Sequence, residues 1–399
     1  MTGKRPGKAT KLAHMGRNPA RQYGAVNPPV VRASTIVFES LEAFETIRDH
    51  HSGRGRDQAR FGYGRFGTMT TASLEILASE LEGAADSFLT SSGLSAITTA
   101  LLAIVKAGDH LLVVDCAYLP TRTFCERLLT PMGVGVEYMP SDSDAAQVAA
   151  RCRDTTKAIF LESPGSLTFE MQDLRGIAAL AQERGITTLI DNTWASPLGC
   201  RPLDLGIDIS IHAATKHFVG HSDAMLGIIC CNEATVRPVH QMMHALGQSA
   251  GSEEAYLGQR GARTLEVRLA KASASALDLC QWLEARPEVD RVLYPPLPSD
   301  PGHALWQRDF TGACGLFSMI LAEDHPRSAI ASMVEGYDFF SIGASWGGYE
   351  SLVRTEVPVR SAVPWTDKRP ILRYSIGLED PADLRADLEA GFARLAAGG

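Results

Sequence analysis

Lys216 follows the apolar run that starts at Ile211, in Ile211-His212-Ala213-Ala214-Thr215-Lys216-His217. A lysine just after a buried strand either lies at the surface, as most lysines do, or is kept dry enough to act as a neutral amine. In the second case it can form an imine with an aldehyde-bearing cofactor. Asp191 ends another apolar run, Leu189-Ile190-Asp191-Asn192-Thr193. A carboxylate there is either a turn residue or the partner of a cationic ring nitrogen, which turns the ring into an electron sink. Ser91-Ser92-Gly93-Leu94 opens a helical pattern, and the unpaired N–H groups of a helix start favour a phosphate. Tyr63-Gly64-Arg65 sets a hydroxyl and a guanidinium two residues apart. Both reach one phosphate if the backbone is extended, and otherwise the segment is an ordinary loop. Arg373 lies within the apolar run from Ile371 to Ile376, where it needs a salt bridge or a substrate carboxylate.

The surrounding periodicity supplies the elements that must position these groups. Leu74, Leu77, Ala78 and Leu81 fall at helical spacing and Gly83 ends the run. A second helix is expected from Gly93 to Val105. Strands and helices then alternate. Strands are expected at His110–Asp115, Val134–Met139, Ala158–Leu161 and Ile186–Ile190, and helices at Tyr118–Leu129, Ala145–Arg153 and Leu174–Glu183. Two further apolar runs span Ile207–Ile211 and Leu226–Cys231. Such alternation implies parallel strands, right-handed crossovers and helices on both faces, with ligands at the carboxyl ends of strands. Asp115, Glu162, Asp191 and the segment ending at Lys216 all fall at such ends. After Tyr256 the pattern changes to a long amphipathic helix, Leu265–Trp282, strands at Gly315–Leu321 and Ile371–Ile376, and a terminal helix, Pro381–Ala396. Residues 1 to 66 lack periodicity and read as an extended arm.

Composition bounds the partners. The chain has 399 residues, enough for more than one domain, and 45% hydrophobic content, enough for a core. A net charge of −8 argues against general nucleic-acid binding. The basic stretch from Arg48 to Arg60 reads as a mobile surface loop. Eight cysteines without a CxxC pair are expected as buried small hydrophobes in a reducing compartment. The absence of a secretory signal and of a membrane-spanning run makes a cytoplasmic enzyme the default. His212, His217 and His221 lack a metal-site framework and are expected to pack or hydrogen-bond.

Together these segments resemble the transsulfuration (Cys/Met metabolism) family of pyridoxal-phosphate-dependent enzymes, fold type I. The likeness runs from Ala33-Ser34-Thr35-Ile36-Val37-Phe38 to Gly377-Leu378-Glu379-Asp380. Three stretches resemble the members that cleave at Cβ: Ala214 to Met225, Arg308 to Ser318, and Ser345-Trp346-Gly347-Gly348-Tyr349-Glu350-Ser351-Leu352. The resemblance implies an α/β large domain (67–256) with a mostly parallel seven-stranded sheet, a smaller α+β domain (257–399) and an arm (1–66) reaching a neighbouring subunit's active site. It implies a homotetramer built from dimers. It implies pyridoxal 5′-phosphate bound as an imine to Lys216, with Asp191 on the ring nitrogen and Tyr118 stacked on the ring. The Gly93 and Leu94 amides and Thr215 would hold the phosphate, joined by Tyr63 and Arg65 of the neighbour. Arg373, Ser345 and Trp346 would bind the substrate carboxylate.

The implied reaction is β-elimination on a thioether amino acid. Lys216 removes the Cα proton, a thiolate leaves Cβ, and the remainder hydrolyses to pyruvate and ammonia. With cystathionine the thiol is homocysteine. Trp346 favours this over chemistry at Cγ, since γ-acting relatives carry a smaller residue there. A non-catalytic cofactor-binding regulator is the alternative outside enzymes, and a nicotinamide dehydrogenase is disfavoured by the absence of GxGxxG after a strand. Ala213, where many relatives have serine, is expected to cost one phosphate hydrogen bond. Ala344, where some carry tyrosine, is expected to alter the pocket wall.

Overall fold

The structure is a computed structural model that describes residues 6–48 and 61–398. Apart from the backbone of Arg48, the basic stretch read between Arg48 and Arg60 lies outside the described residues.

Seven strands form the larger sheet: β1 (Asp86–Thr90), β2 (His110–Val114), β3 (Gly135–Met139), β4 (Thr156–Glu162), β5 (Thr187–Asp191), β6 (Ile209–His212) and β7 (Gly227–Cys231), in the order β1-β7-β6-β5-β4-β2-β3. The pairs from β6 through β3 are parallel, while β7 runs antiparallel to both β6 and β1. Strands β1, β2, β6 and β7 are buried along their whole length. That is why most of them read as unbroken apolar runs. Strand β1, Asp-Ser-Phe-Leu-Thr, escaped the sequence reading because three of its five residues are polar yet buried. Register does the positioning. Glu162 pairs with Asp191, and Asp191 with Ile211. Strand pairing thus sets Glu162, Asp191 and the segment after His212 side by side at one sheet edge.

The helix Met69–Glu82 starts at a capping box between Thr68 and Thr71 and ends at Gly83 in the left-handed conformation. The helix Gly93–Ile104 is capped by Ser92, whose hydroxyl accepts from Ser95 N–H at 3.1 Å. The helices expected at Tyr118–Leu129, Ala145–Arg153 and Leu174–Glu183 are present at 119–129, Ala145–Arg151 and Leu174–Arg184, the first finishing in a π turn.

A second sheet follows, made of β8 (Val289–Leu293), β9 (Leu316–Leu321), β10 (Ser341–Ile342), β11 (Leu352–Glu356) and β12 (Ile371–Ser375), ordered β10-β11-β12-β9-β8. The long helix Leu265–Glu284 packs on β8 and β9, and the terminal helix Pro381–Ala397 packs on that helix. Residue 256 falls inside a helix, Ser252–Ala262, that packs on Met69–Glu82.

The N-terminal segment is more structured than an extended arm. It forms the helices Lys8–His14 and Leu41–Arg48. Leu12 is buried against the body, and Arg263 reaches the carbonyls of Leu12 and Met15. One buried leucine per two turns gives too weak a periodic signal to read from sequence. All eight cysteines are free, and all but Cys152 are buried, as expected. No helix among the described residues is long and apolar enough to cross a membrane.

Candidate active site

The loop after β6 delivers Lys216 to the edge where β4 and β5 end. Lys216 Nζ donates to Ser345 Oγ at 2.7 Å and stands 5.4 Å from the centroid of the Trp346 ring. Loss of hydration, followed by the positive charge of Arg373, pushes this ammonium down to about 8, while Asp191 opposes the shift. The amine is therefore within reach of its neutral form near physiological pH. Close approach of the Ser345–Gly348 loop depends on Gly347. Its φ is +78°, and a Cβ there would meet Lys216 Cβ and His217 Nδ1 at 3.3 Å each.

Asp191 is buried and raised by that burial, with hydrogen bonds from Thr193 holding the shift back. Thr193 N–H donates to Asp191 Oδ1 at 3.0 Å, and its hydroxyl donates to the same oxygen while accepting from Ala213 N–H at 2.8 Å. Thr193 thus ties the carboxylate to the lysine loop. The one sequence signal for this role is local, a threonine two residues after an aspartate at a strand end, which favours such a turn. Beside Asp191, lost hydration pushes Glu162 well above the usual carboxylate range, and Asp191's charge adds to this. Glu162 accepts from Tyr118 N–H at 2.7 Å. Of the two neighbouring carboxyls, burial raises Glu162 further, while the hydrogen bonds from Thr193 favour the charged form of Asp191.

Gly93 starts its helix directly against the lysine loop. A Cβ at Gly93 would lie 2.4 Å from Ala213 Cβ, so no other residue lets the helix N-terminus come this close to residues 213–216. Ala213 fills the space beside Gly93, and the amides of Gly93 and Leu94 head a 12-residue helix whose dipole favours an anion. The Thr215 hydroxyl accepts from Leu226 N–H at 2.8 Å and lies 3.2 Å from the Leu226 carbonyl oxygen, which pins the loop to β7.

Arg373, on β12, is buried and donates to the carbonyls of Ala344 at 3.3 Å and Ser345 at 3.2 Å. Burial drives its guanidinium down to about 10. Among the described residues it has no carboxylate partner, so the structural salt bridge is absent and the anion-binding alternative stands. Tyr118 caps the helix Leu119–Phe124 with its ring partly exposed, its phenol raised by burial and by Asp191.

Tyr63 and Arg65 are not brought to this centre. Tyr63 has extended backbone and Gly64–Phe66 follows it as a 3₁₀ turn, so the segment is not the continuous extended stretch expected. Arg65 lies over the Phe66 ring at 4.4 Å and approaches the His244 carbonyl at 3.4 Å. The two residues line a separate surface groove with Arg32, Ser34 and Ser252. Asp115, at the end of β2, also faces no ligand. It is bonded by Arg122 at 2.7 Å and by the N–H groups of Ser361, Ala362 and Val363.

The histidines have local partners. His217 Nε2 is 3.1 Å from the Trp194 carbonyl oxygen, and His221 Nδ1 is 2.6 Å from that of Val219. His212 hydrogen-bonds the buried Glu82, with Cys230 close by.

The family model described as "Cys/Met metabolism PLP-dependent enzyme" matches residues 9–393. The chain is 41% identical over 394 residues to cystathionine beta-lyase of Bordetella avium, covering 97% of this chain and 98% of the relative. It is 40% identical over 393 residues to cystathionine beta-lyase MetC of Escherichia coli, with the same coverage. Its fold superposes on a solved cystathionine gamma synthase from Xanthomonas oryzae pv. oryzae, in complex with aminoacrylate and cysteine, with a TM-score of 0.89 at 29% identity. That match covers 99% of this chain and 100% of the other.

Proposed function

Since this chain belongs to the Cys/Met metabolism family of pyridoxal-phosphate-dependent enzymes, we propose that it cleaves the Cβ–S bond of L-cystathionine. The products are homocysteine, pyruvate and ammonia, and other cysteine S-conjugates react similarly. The observation that carries this reading is one amine, Lys216, held at 2.7 Å from Ser345 with its basicity lowered to about 8 by burial and by Arg373, which has no carboxylate partner among the described residues.

The residues present fit the cofactor. Lys216 offers the imine-forming amine, Asp191 a buried carboxylate for the ring nitrogen, and Tyr118 a face. The Gly93–Ala213 contact sets two helix-start amides beside Thr215 for the phosphate. The bound cofactor supplies an electron sink for a carbanion at the substrate Cα.

Around it the protein's own groups divide the work. Arg373 takes the α-carboxylate, and the substrate is thereby oriented with its Cα–H toward Lys216. Lys216, neutral and hydrogen-bonded to Ser345, removes that proton as a general base. Trp346 walls the side where the thiolate departs, and Lys216, now protonated, or Tyr118 returns a proton to the sulfur. Thr193 donates to Asp191 through its N–H and its hydroxyl, which favours the charged carboxylate. Ala213 leaves the remaining phosphate donors in place, and Ala344 leaves the mouth open for a longer thioether.

The arm, residues 1–66, carries Tyr63 and Arg65 in an open surface groove that this chain's Lys216 does not line, which fits a role at a neighbour's phosphate in a dimer-based homotetramer. The division into a large domain (67–256) and a smaller one (257–399) follows the two sheets, with the helix Ser252–Ala262 siding with the first.

Product analysis with L-cystathionine tests the reaction. Pyruvate and homocysteine are expected, and 2-oxobutyrate with cysteine would instead assign Cγ chemistry. Lys216→Ala should lose turnover by orders of magnitude while still binding the cofactor non-covalently, as read by its visible absorbance.

A further inference from the structure

We propose that Arg354 and Glu356 form a subsite for the amino-acid head at the far end of the substrate, Arg354 taking its carboxylate and Glu356 its ammonium. This rests on the thioether-lyase reading above and names the half of the substrate that Arg373 and Lys216 do not reach.

The placement follows from strand register. In β11 alternate residues share a face, so Arg354 and Glu356 point the same way and form an ion pair. Arg354 stands directly opposite Arg373 in the antiparallel β11–β12 pair. Two like charges facing each other across a ladder destabilise it. Both guanidinium groups donate to the same carbonyl, Ala344 O, Arg354 at 3.2 Å and Arg373 at 3.3 Å. Both also lower the basicity of Lys216, and both act on the Tyr118 phenol. Arg354 is thus inside the same enclosure as the reacting groups, yet a third of its side chain is exposed, open to an incoming ligand.

A single carboxylate satisfies Arg373 and leaves Arg354 with Glu356. A free α-amino acid head carries one carboxylate and one ammonium, and can exchange partners with such a pair without leaving a charge unmatched. The dimensions agree. The two α-carbons of cystathionine are five bonds apart, roughly 6–7 Å when extended. Opposed residues of antiparallel strands lie about 4.5–5.5 Å apart at Cα, so the two heads can sit on neighbouring arginines.

The experiment compares L-cystathionine, S-(3-carboxypropyl)-L-cysteine, which lacks the distal ammonium, and S-propyl-L-cysteine, which lacks both distal charges. Steady-state constants are measured for the wild type and for Arg354→Leu, Arg354→Gln and Glu356→Gln. Dissociation constants are measured by calorimetry in a Lys216→Ala background. The two Arg354 variants should lose about 10–100-fold in kcat/KM, chiefly through KM, on both compounds with a distal carboxylate, and much less on S-propyl-L-cysteine. Glu356→Gln should weaken L-cystathionine more than the carboxypropyl compound. The binding constants should move in parallel. Equal losses on all three compounds, or none, would overturn the subsite. Its fate is separate from that of the β-elimination reading. Formation of 2-oxobutyrate by the wild type would sink that reading while the ranking of the three compounds still judges Arg354, and calorimetry judges it without turnover.

Discussion

Lys216 has two sequence neighbours of opposite effect, the buried strand β6 behind it and the polar loop around it, and its chemistry depends on which dominates. Burial and Arg373 together bring its ammonium to about 8 against an ordinary value of 10.5. Competitive amine labelling of the cofactor-free protein should therefore give Lys216 a midpoint near pH 8, with surface lysines well above it. A midpoint near 10.5 would mean the pocket is wet. The sign also reaches stability. A lysine with a depressed folded value is destabilising while protonated, so its contribution improves as pH rises from about 8 toward 10.5. At Gly93 the argument is steric. A methyl group 2.4 Å from Ala213 Cβ cannot be housed without moving the lysine loop or the helix start. Gly93→Ala should weaken cofactor binding by about 10–100-fold with little change in secondary structure, as read by fluorescence titration and circular dichroism.

Among the elements, the segment 360–363 ties the second half of the chain to the end of β2. Asp115 at the end of β2 collects Arg122 and three successive backbone N–H groups of this segment, and Arg360 donates to the Asp115 carbonyl at 3.0 Å. Arg122 and Asp115 are both buried. Removing the carboxylate strands a buried guanidinium, which typically costs about 3–5 kcal/mol. Asp115→Ala should lower the urea midpoint by a corresponding amount and raise KM, because Tyr118 follows three residues later. An unchanged midpoint would mean the segment is held by other contacts. Sequence placed Asp115 at a strand end with the ligand-facing groups. It could not reveal that a loop nearly 250 residues away would claim it.

Across the whole molecule, the N-terminal segment joins its own body through Leu12 while presenting Val37, Leu41, Phe44 and Tyr63 to solvent. Exposed apolar groups gathered along one segment suit a subunit contact. The proposed assembly predicts that two inactive variants, Lys216→Ala and Arg65→Ala, regain part of the activity when mixed and allowed to exchange subunits, because some mixed dimers contain one intact site. Failure to regain activity, with exchange verified by mass, would place Arg65 in its own subunit's function or in none.

The α/β class, the strands β2 to β7, and the candidates Lys216, Asp191 and Arg373 were legible because these strands carry compact apolar runs, fully buried in β2, β6 and β7, and a charge ending or interrupting such a run is conspicuous. Strand β1, the short strands β8, β10 and β11, and the helix at Lys8–His14 were not, since few or polar residues carry their pattern. Only tertiary structure decided which charges meet. It set Thr193 on Asp191, Glu162 beside it, Arg354 across from Arg373, and it put Tyr63 and Arg65 in a groove with Arg32 and Ser252. The periodicity of a sequence records which side of an element faces the core. The register between elements far apart in the chain is fixed by packing that no local window contains.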